Sequence, residues 1–233
     1  MRPTISTGAG GLDELLNGGL LAENMHLVFG EAESGKTTLA IQCAVNCARI
    51  GYKTIYIDTE GTFSPKRLAQ IASEDVEKIA SCIILARPAT FREQGAIFDK
   101  LDEYVTEKVG LIVVDTVTAL YSSELGGEKK KAFKLNRELS RQMAYLAQII
   151  KGRKVPALIT SQVRSVFMID EMRVEPPARR VLDFWSDVVI SLRLTSQISV
   201  VRAVLEKHPR KLPPQSCFLR IGQEGILDYK YLG

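Results

Sequence analysis

Apolar and polar positions follow two different rhythms along this 233-residue chain. Short runs of apolar, often β-branched residues at 25–29, 54–57, 82–85, 111–114 and 157–160 have the length and make-up of buried strands. Between them run longer stretches of helical pattern, from Lys36 to near Gly51 and over residues 91–108 and 132–151. Strands that alternate with helices in this order predict an α/β fold with a central, mainly parallel sheet. The opening segment, residues 4–21, is rich in glycine around the amphipathic piece Leu12-Asp13-Glu14-Leu15-Leu16, and reads as a loop, one helix and a turn. After Gln162 the rhythm breaks. Residues 164–180 show no clean period, contain Pro176-Pro177, mix Arg164, Arg173, Arg179 and Arg180 with three acids, and are read as a mobile loop. The runs 187–194, 199–205 and 216–221 predict short strands that extend the sheet in antiparallel fashion. With no repeat or low-complexity linker, a single domain is expected over residues 1–233.

One junction in this pattern carries specific chemistry. Between the first strand and the first long helix lies Gly30-Glu31-Ala32-Glu33-Ser34-Gly35-Lys36-Thr37, followed by Thr38. Glycines at both ends let the backbone curl until successive N–H groups point inward at the start of a helix, where an anion is already favoured. Lys36 is placed to reach a β- or γ-phosphate, and Thr37 to ligate Mg²⁺. In an open α/β sheet ligands sit beyond the carboxyl ends of the strands, so the residues ending each strand come next. Asp115 closes the apolar strand 111–114 and is either a carboxylate for Mg²⁺ or a turn residue. Glu60, beyond the second strand, is a candidate base for an attacking water, or a solvated loop acid. Gln162, neutral and able both to donate and to accept, is a candidate sensor of the γ-phosphate, or a turn residue.

Composition narrows the picture only in part. Hydrophobic residues make up 45% and charged residues 25%, no apolar run is long enough to cross a bilayer, and no signal peptide is visible, so a cytoplasmic protein without a membrane partner is expected. A net charge of +4, from 31 basic and 27 acidic side chains, permits a polyanionic partner without demanding one. Cys43, Cys47, Cys82 and Cys217 form no Cys-x-x-Cys pair and have no histidine at zinc-ligand spacing, which argues for reduced core residues.

Taken together, the phosphate loop, Tyr56-Ile57-Asp58-Thr59-Glu60-Gly61-Thr62-Phe63-Ser64-Pro65-Lys66-Arg67-Leu68, the strand ending at Asp115 and Ile159-Thr160-Ser161-Gln162-Val163 resemble the RecA/RadA recombinase superfamily. The resemblance runs from the first residues through Gln162 and more weakly to the end. It implies a RecA-like P-loop ATPase core that binds ATP with Mg²⁺, with Glu60 as the catalytic glutamate, Gln162 as the γ-phosphate sensor and Arg67 as the arginine that stacks on adenine. It also implies two DNA-binding loops, at about 122–131, with Lys129, Lys130 and Lys131, and at about 164–180, with Arg164, Arg173, Arg179 and Arg180. Phe167, Phe184 and Trp185 are candidates for base stacking, or core residues. Near the end, Glu206-Lys207-His208-Pro209-Arg210-Lys211 resembles a basic element of the same family. Lys207, His208 and Arg210 are read as contacts to DNA, as cations reaching the nucleotide of a neighbouring subunit, or as a solvated turn.

Departures from the family shape the functional expectation. The chain opens directly at the ATPase core, without the helical DNA-binding domain and polymerisation linker of the main archaeal recombinase. Ala178-Arg179-Arg180 stands where family members carry glycines, and Glu31 replaces a common proline. The reading is therefore an accessory ATPase of recombination and repair. It hydrolyses ATP slowly, binds DNA, single-stranded with duplex as the alternative, and assists the main archaeal recombinase, with a homodimer as one possible state and the oligomeric state left open. A self-sufficient strand-exchange enzyme and a regulatory ATPase with protein partners and no DNA are the competing expectations.

Overall fold

The computed structural model describes residues 3–168, 171–210 and 215–229, with the side chains of residues 129, 165–168 and 171–174 outside the described set. Its chain runs α1 (Gly10–Leu15), β1 (Met25–Gly30), α2 (Lys36–Arg49), β2 (Lys53–Asp58), α3 (Pro65–Ala72), α4 (Val76–Ser81), β3 (Ile83–Ala86), α5 (Phe91–Tyr104), β4 (Val109–Asp115), α6 (Ala119–Leu125), α7 (Lys129–Arg153) and β5 (Ala157–Gln162). It continues with β6 (Arg164–Met168), β7 (Glu171–Glu175), α8 (Arg179–Trp185), β8 (Val188–Leu194), β9 (Val200–Lys207), β10 (Gln215–Gly222) and β11 (Gly225–Asp228).

Nine of these strands form one sheet in the order β11-β10-β9-β8-β1-β5-β4-β2-β3. From β3 to β8 the neighbours are parallel, and from β8 to β11 antiparallel, as the strand pattern predicts. Helices cover both faces, so the central strands have no polar side. Along β4, Leu111 and Val113 enter the core beneath α2, while Ile112 and Val114 enter the core beneath α5 and α7. Period-two alternation between two buried faces is why these strands read as continuous apolar runs.

The segment after Gln162 departs from expectation. Instead of a loop, β6 and β7 pair as an antiparallel hairpin, with Arg164 opposite Glu175 and Met168 opposite Glu171. Arg179 and Arg180 then open α8. Likewise most of residues 122–131 is helix: α6 ends at a left-handed Gly126, and Lys129 already begins α7. The hairpin is set by cross-strand pairing of mixed-charge segments, and the helical ends around Gly126 belong to a seven-residue α6 and the charged first turn of α7, so neither stretch shows a periodic apolar signal of its own.

Candidate nucleotide site

The phosphate loop is fixed by close backbone approach. A Cβ on Gly30 would lie 2.3 Å from the carbonyl oxygen of Leu192 on β8, so only glycine lets β1 pass into the loop there. Glu33 and Gly35 are both left-handed, at φ 63° and 90°, and Gly35 caps α2. The turn thereby delivers Lys36, Thr37 and Thr38 to the first turn of the helix, where backbone N–H groups lack helical acceptors. The Lys36 ammonium donates to the carbonyls of Gly30 at 2.9 Å and Glu31 at 2.5 Å, and to Ser34 Oγ at 3.3 Å. Burial pushes its pKa down, against the pull of Asp115, Glu60 and Glu31.

Across the loop, three strand ends converge. Asp115 is fully buried at the end of β4. Its two carboxylate oxygens accept from the Tyr56 hydroxyl on β2, at 2.8 Å, and from Thr160 Oγ1 on β5, at 2.5 Å. Burial, and then the neighbouring Asp115 charge, drive the Tyr56 pKa up, so the phenol stays a proton donor. Gln162, last in β5, donates from Nε2 to both oxygens of Glu60, at 2.8 and 3.1 Å. Desolvation raises the Glu60 pKa above the usual carboxylate range, with Asp115 adding to the rise and Gln162 and Lys36 opposing it. Two charges perturbed in opposite senses inside one cavity make this a candidate reactive site. Asp58 prepares this geometry by accepting from the backbone N–H groups of Thr62 and Phe63 and from Arg87, which fixes the loop that carries Glu60.

The cavity so enclosed measures about 270 Å³ and is lined by Ala32, Glu33, Gly35, Lys36, Thr37 and Thr38 on one side and by Glu60, Gln162 and Ile221 among others on the opposite side. Gly30 and Glu31 face a separate cavity of about 730 Å³, shared with Arg179 and Glu206. The chemistry of the donor set suits a nucleoside triphosphate with Mg²⁺: a helix start with no side-chain cap, one ammonium, a helical threonine and a buried carboxylate with fixed orientation. Arg67 does not line the smaller cavity. Its guanidinium is held edge-on by the carbonyls of Gly222 at 2.7 Å and Gln223 at 2.8 Å, in the turn between β10 and β11. Sequence reasoning missed Tyr56, Thr160 and Ile221. Strand register, which places β2 and β5 on either side of β4, brings in the first two, and no local spacing encodes it.

The expected DNA cations divide into separate fates. Lys130, Arg164, Arg180 and Arg210 are exposed. Lys131 is also exposed and pairs with Glu128 at 2.8 Å. The side chains of Lys129, Arg173 and Phe167 lie outside the described residues, as does all of Lys211. Arg179 turns inward, pairing with Asp183 at 2.6 Å and Glu206 at 2.9 Å, and lying 4.7 Å over the Phe29 ring. Lys207 donates to the carbonyls of Asp183 and Ser186, capping the end of α8. His208 is buried, not part of a solvated turn, and its Nδ1 accepts from the Arg210 N–H at 3.2 Å. Burial and then Arg210 lower its pKa. Trp185 donates to Ser140 Oγ on α7 at 3.0 Å, whereas Phe184 is largely exposed.

Among the described residues no helix is long and apolar enough to cross a membrane. The cysteines are free, with Cys43 and Cys47 buried. Known proteins resemble this chain along most of its length. The Rad51 family model matches residues 3–229. A protein of Methanococcoides burtonii named DNA repair and recombination protein RadB is 37% identical over 215 residues, covering 92% of this chain and 93% of that one. The protein of the same name from Thermococcus onnurineus is 35% identical over 227 residues, covering 96% and 97%. A solved structure titled as that of the RadB recombinase superposes with a TM-score of 0.84 at 34% identity, over 97% of this chain and all of the other. On these grounds the chain belongs to the Rad51 family, as a RadB-type protein of recombination and repair.

Proposed function

We propose that this protein is an accessory recombination ATPase that binds ATP with Mg²⁺, engages DNA, hydrolyses slowly and assists the main archaeal recombinase. The observation that carries the reading is the convergence of Lys36, Thr37, Glu60 and Gln162 on one cavity, with the charge of Asp115 acting on both Lys36 and Glu60. The loop N–H groups and Lys36 hold the phosphates, and Thr37 and Asp115 would hold Mg²⁺, which when bound offsets the negative charge of the β- and γ-phosphates. Glu60, with its raised pKa, takes the proton of an attacking water. Among the described residues lining the cavity, Lys36 is the sole cation, and it also bonds the loop's own carbonyls. With no arginine among those described lining residues to stabilise charge developing on the transferred group, turnover within one subunit is slow.

Gln162 bonds Glu60 and is followed at once by Val163 and the β6–β7 hairpin. A γ-phosphate that draws the Gln162 amide away shifts the base of that hairpin, so that the nucleotide acts as a switch on DNA affinity. The test is equilibrium binding of a labelled oligonucleotide with ATP, ADP and no nucleotide, for the native protein and for Lys36→Ala. Tighter DNA binding with ATP, lost in the variant, is expected. Equal affinity in all three states removes the switch, and no DNA binding in any state removes the recombination mechanism while leaving a nucleotide-binding fold.

A further inference from the structure

The groove between α5 and α7 takes no part in the chemistry above. It encloses about 720 Å³ and is floored by the buried Phe91 and Leu135. On its rim stands Phe133, 82% exposed and the most exposed aromatic side chain among the described residues. Helical spacing explains the exposure. Leu135, Leu139, Gln142 and Leu146 form the inward stripe of α7, and Phe133 lies on the opposite face, together with Lys130, Lys134 and Arg137. Arg92 faces the same groove from α5. Among the described residues, Arg92, Lys130, Lys134 and Arg137 make no ion pair. Two of the groove's acids, Asp99 and Glu138, are already neutralised by Arg141, at 2.6 and 2.7 Å. Among the described residues lining the groove, only Glu124 offsets the free cations along its wall.

An apolar ring held in water among unpaired cations is complementary to a ligand that offers a flat π-face beside repeated negative charge. We propose that this groove is a base-stacking subsite for single-stranded nucleic acid. The face of Phe133 receives one unpaired base, while Lys130, Lys134 and Arg137 neutralise the flanking phosphates. Lys130 to Lys134 spans about 6 Å of helix axis and Lys134 to Arg137 about 5 Å, the scale of successive phosphates along a strand. A duplex keeps its base faces stacked on one another, so the subsite selects single strands. The inference rests on the DNA-binding reading and adds to it a place and a strand preference. It also moves the aromatic contact from the residues the sequence suggested to one on the long helix.

The experiment compares three probes of equal length: an oligothymidylate, an abasic strand with the same backbone, and a duplex. Binding is followed by anisotropy for the native protein, Phe133→Ala, Phe133→Tyr and the Lys134→Gln/Arg137→Gln double variant. Stacking predicts that Phe133→Ala weakens oligothymidylate binding about tenfold and leaves abasic and duplex affinity unchanged, and that Phe133→Tyr restores most of the loss. The double variant weakens all three probes and flattens the salt dependence. In Phe133→Trp, indole emission falls on binding oligothymidylate and not the abasic strand. Native binding that Phe133→Ala leaves untouched, or weakens equally for the abasic strand, overturns the subsite while the DNA reading stands. A native protein that binds none of the probes overturns both. An acidic aromatic peptide that quenches the Phe133→Trp emission when oligothymidylate does not assigns the groove to a protein partner instead.

Discussion

The nucleotide end of the sheet and the cationic surface are built from equally conspicuous residues, yet they are determined in different ways. At the nucleotide end Asp115 and Gln162 close their strands, Glu60 lies two residues past β2 and Lys36 opens the helix that follows β1, and the parallel order β1-β5-β4-β2 sets these positions side by side. Separation in sequence becomes proximity in space, as when Gln162 meets Glu60 at 2.8 Å. On the surface, charges that look alike in sequence part company. Arg179 is absorbed by Asp183, Glu206 and Phe29, and Lys207 by the carbonyls that end α8, whereas Lys134 and Arg137 are left to solvent. A site made of strand ends follows from topology. A binding surface depends on which cations the fold has already neutralised.

The largest expected effect tests the first half of that contrast. Glu60→Gln keeps the hydrogen-bonding shape beside Gln162 and removes the base, so ATP turnover should fall about 10³-fold while nucleotide affinity changes little. On the proposed mechanism the raised pKa of Glu60 should put the acid limb of the native turnover profile above the range of an ordinary carboxylate. Turnover is full where Glu60 is ionised and declines as pH falls through that raised value. Single-turnover kinetics across pH give both readings. A variant with native turnover would mean that another group takes the proton.

The opposite end of β1 supplies a contrast within one strand. Gly30, at its carboxyl end, serves the site, whereas His26, near its start, is wholly buried: Nδ1 donates to the Ala157 carbonyl and Nε2 accepts from the Leu21 N–H, so the ring is held neutral. Burial lowers its pKa from 6.5 to about 4. The unfolded chain therefore binds this proton more readily. The stability contributed is fully present above pH 6.5 and is lost as pH falls from 6.5 towards 4, by about 3 kcal/mol. Denaturant titrations should show His26→Gln less stable than the native protein at pH 8 but with a shallower decline across that window. An equal slope in both would show that other groups set the acid sensitivity.

These two regions also show how far sequence carries. The phosphate loop, the strand ends at Glu60, Asp115 and Gln162, and the parallel sheet were legible because each is written in local spacing: a glycine pair, an apolar run, a polar residue where the run stops. Tyr56 and Thr160 were not legible as holders of Asp115, because that role depends on the register between strands far apart in sequence. The β6–β7 hairpin and α8 were misread as loop because mixed charge hid their pairing. Phe133 passed unnoticed for a related reason. An aromatic within a helical stretch counts as core until the inward stripe of that helix is known, and only then does its exposure acquire meaning.

The smallest effect separates the neighbours Arg179 and Arg180, which sequence reasoning treated as one feature. Arg179 is three-quarters enclosed and doubly paired, so Arg179→Ala should lower stability by about 1 kcal/mol and leave DNA affinity within twofold. Arg180 is exposed one residue on, so Arg180→Ala should leave stability within about 0.5 kcal/mol and weaken oligonucleotide binding two- to threefold at low salt, less as salt rises. Thermal melts and anisotropy on the two single variants, rather than on a double variant that merges them, decide the matter. If the effects are exchanged, with Arg179→Ala costing affinity and Arg180→Ala costing stability, the internal pairing of Arg179 does not persist in solution. The sorting of cations into neutralised and available would then have to be drawn from dynamics rather than from this one arrangement.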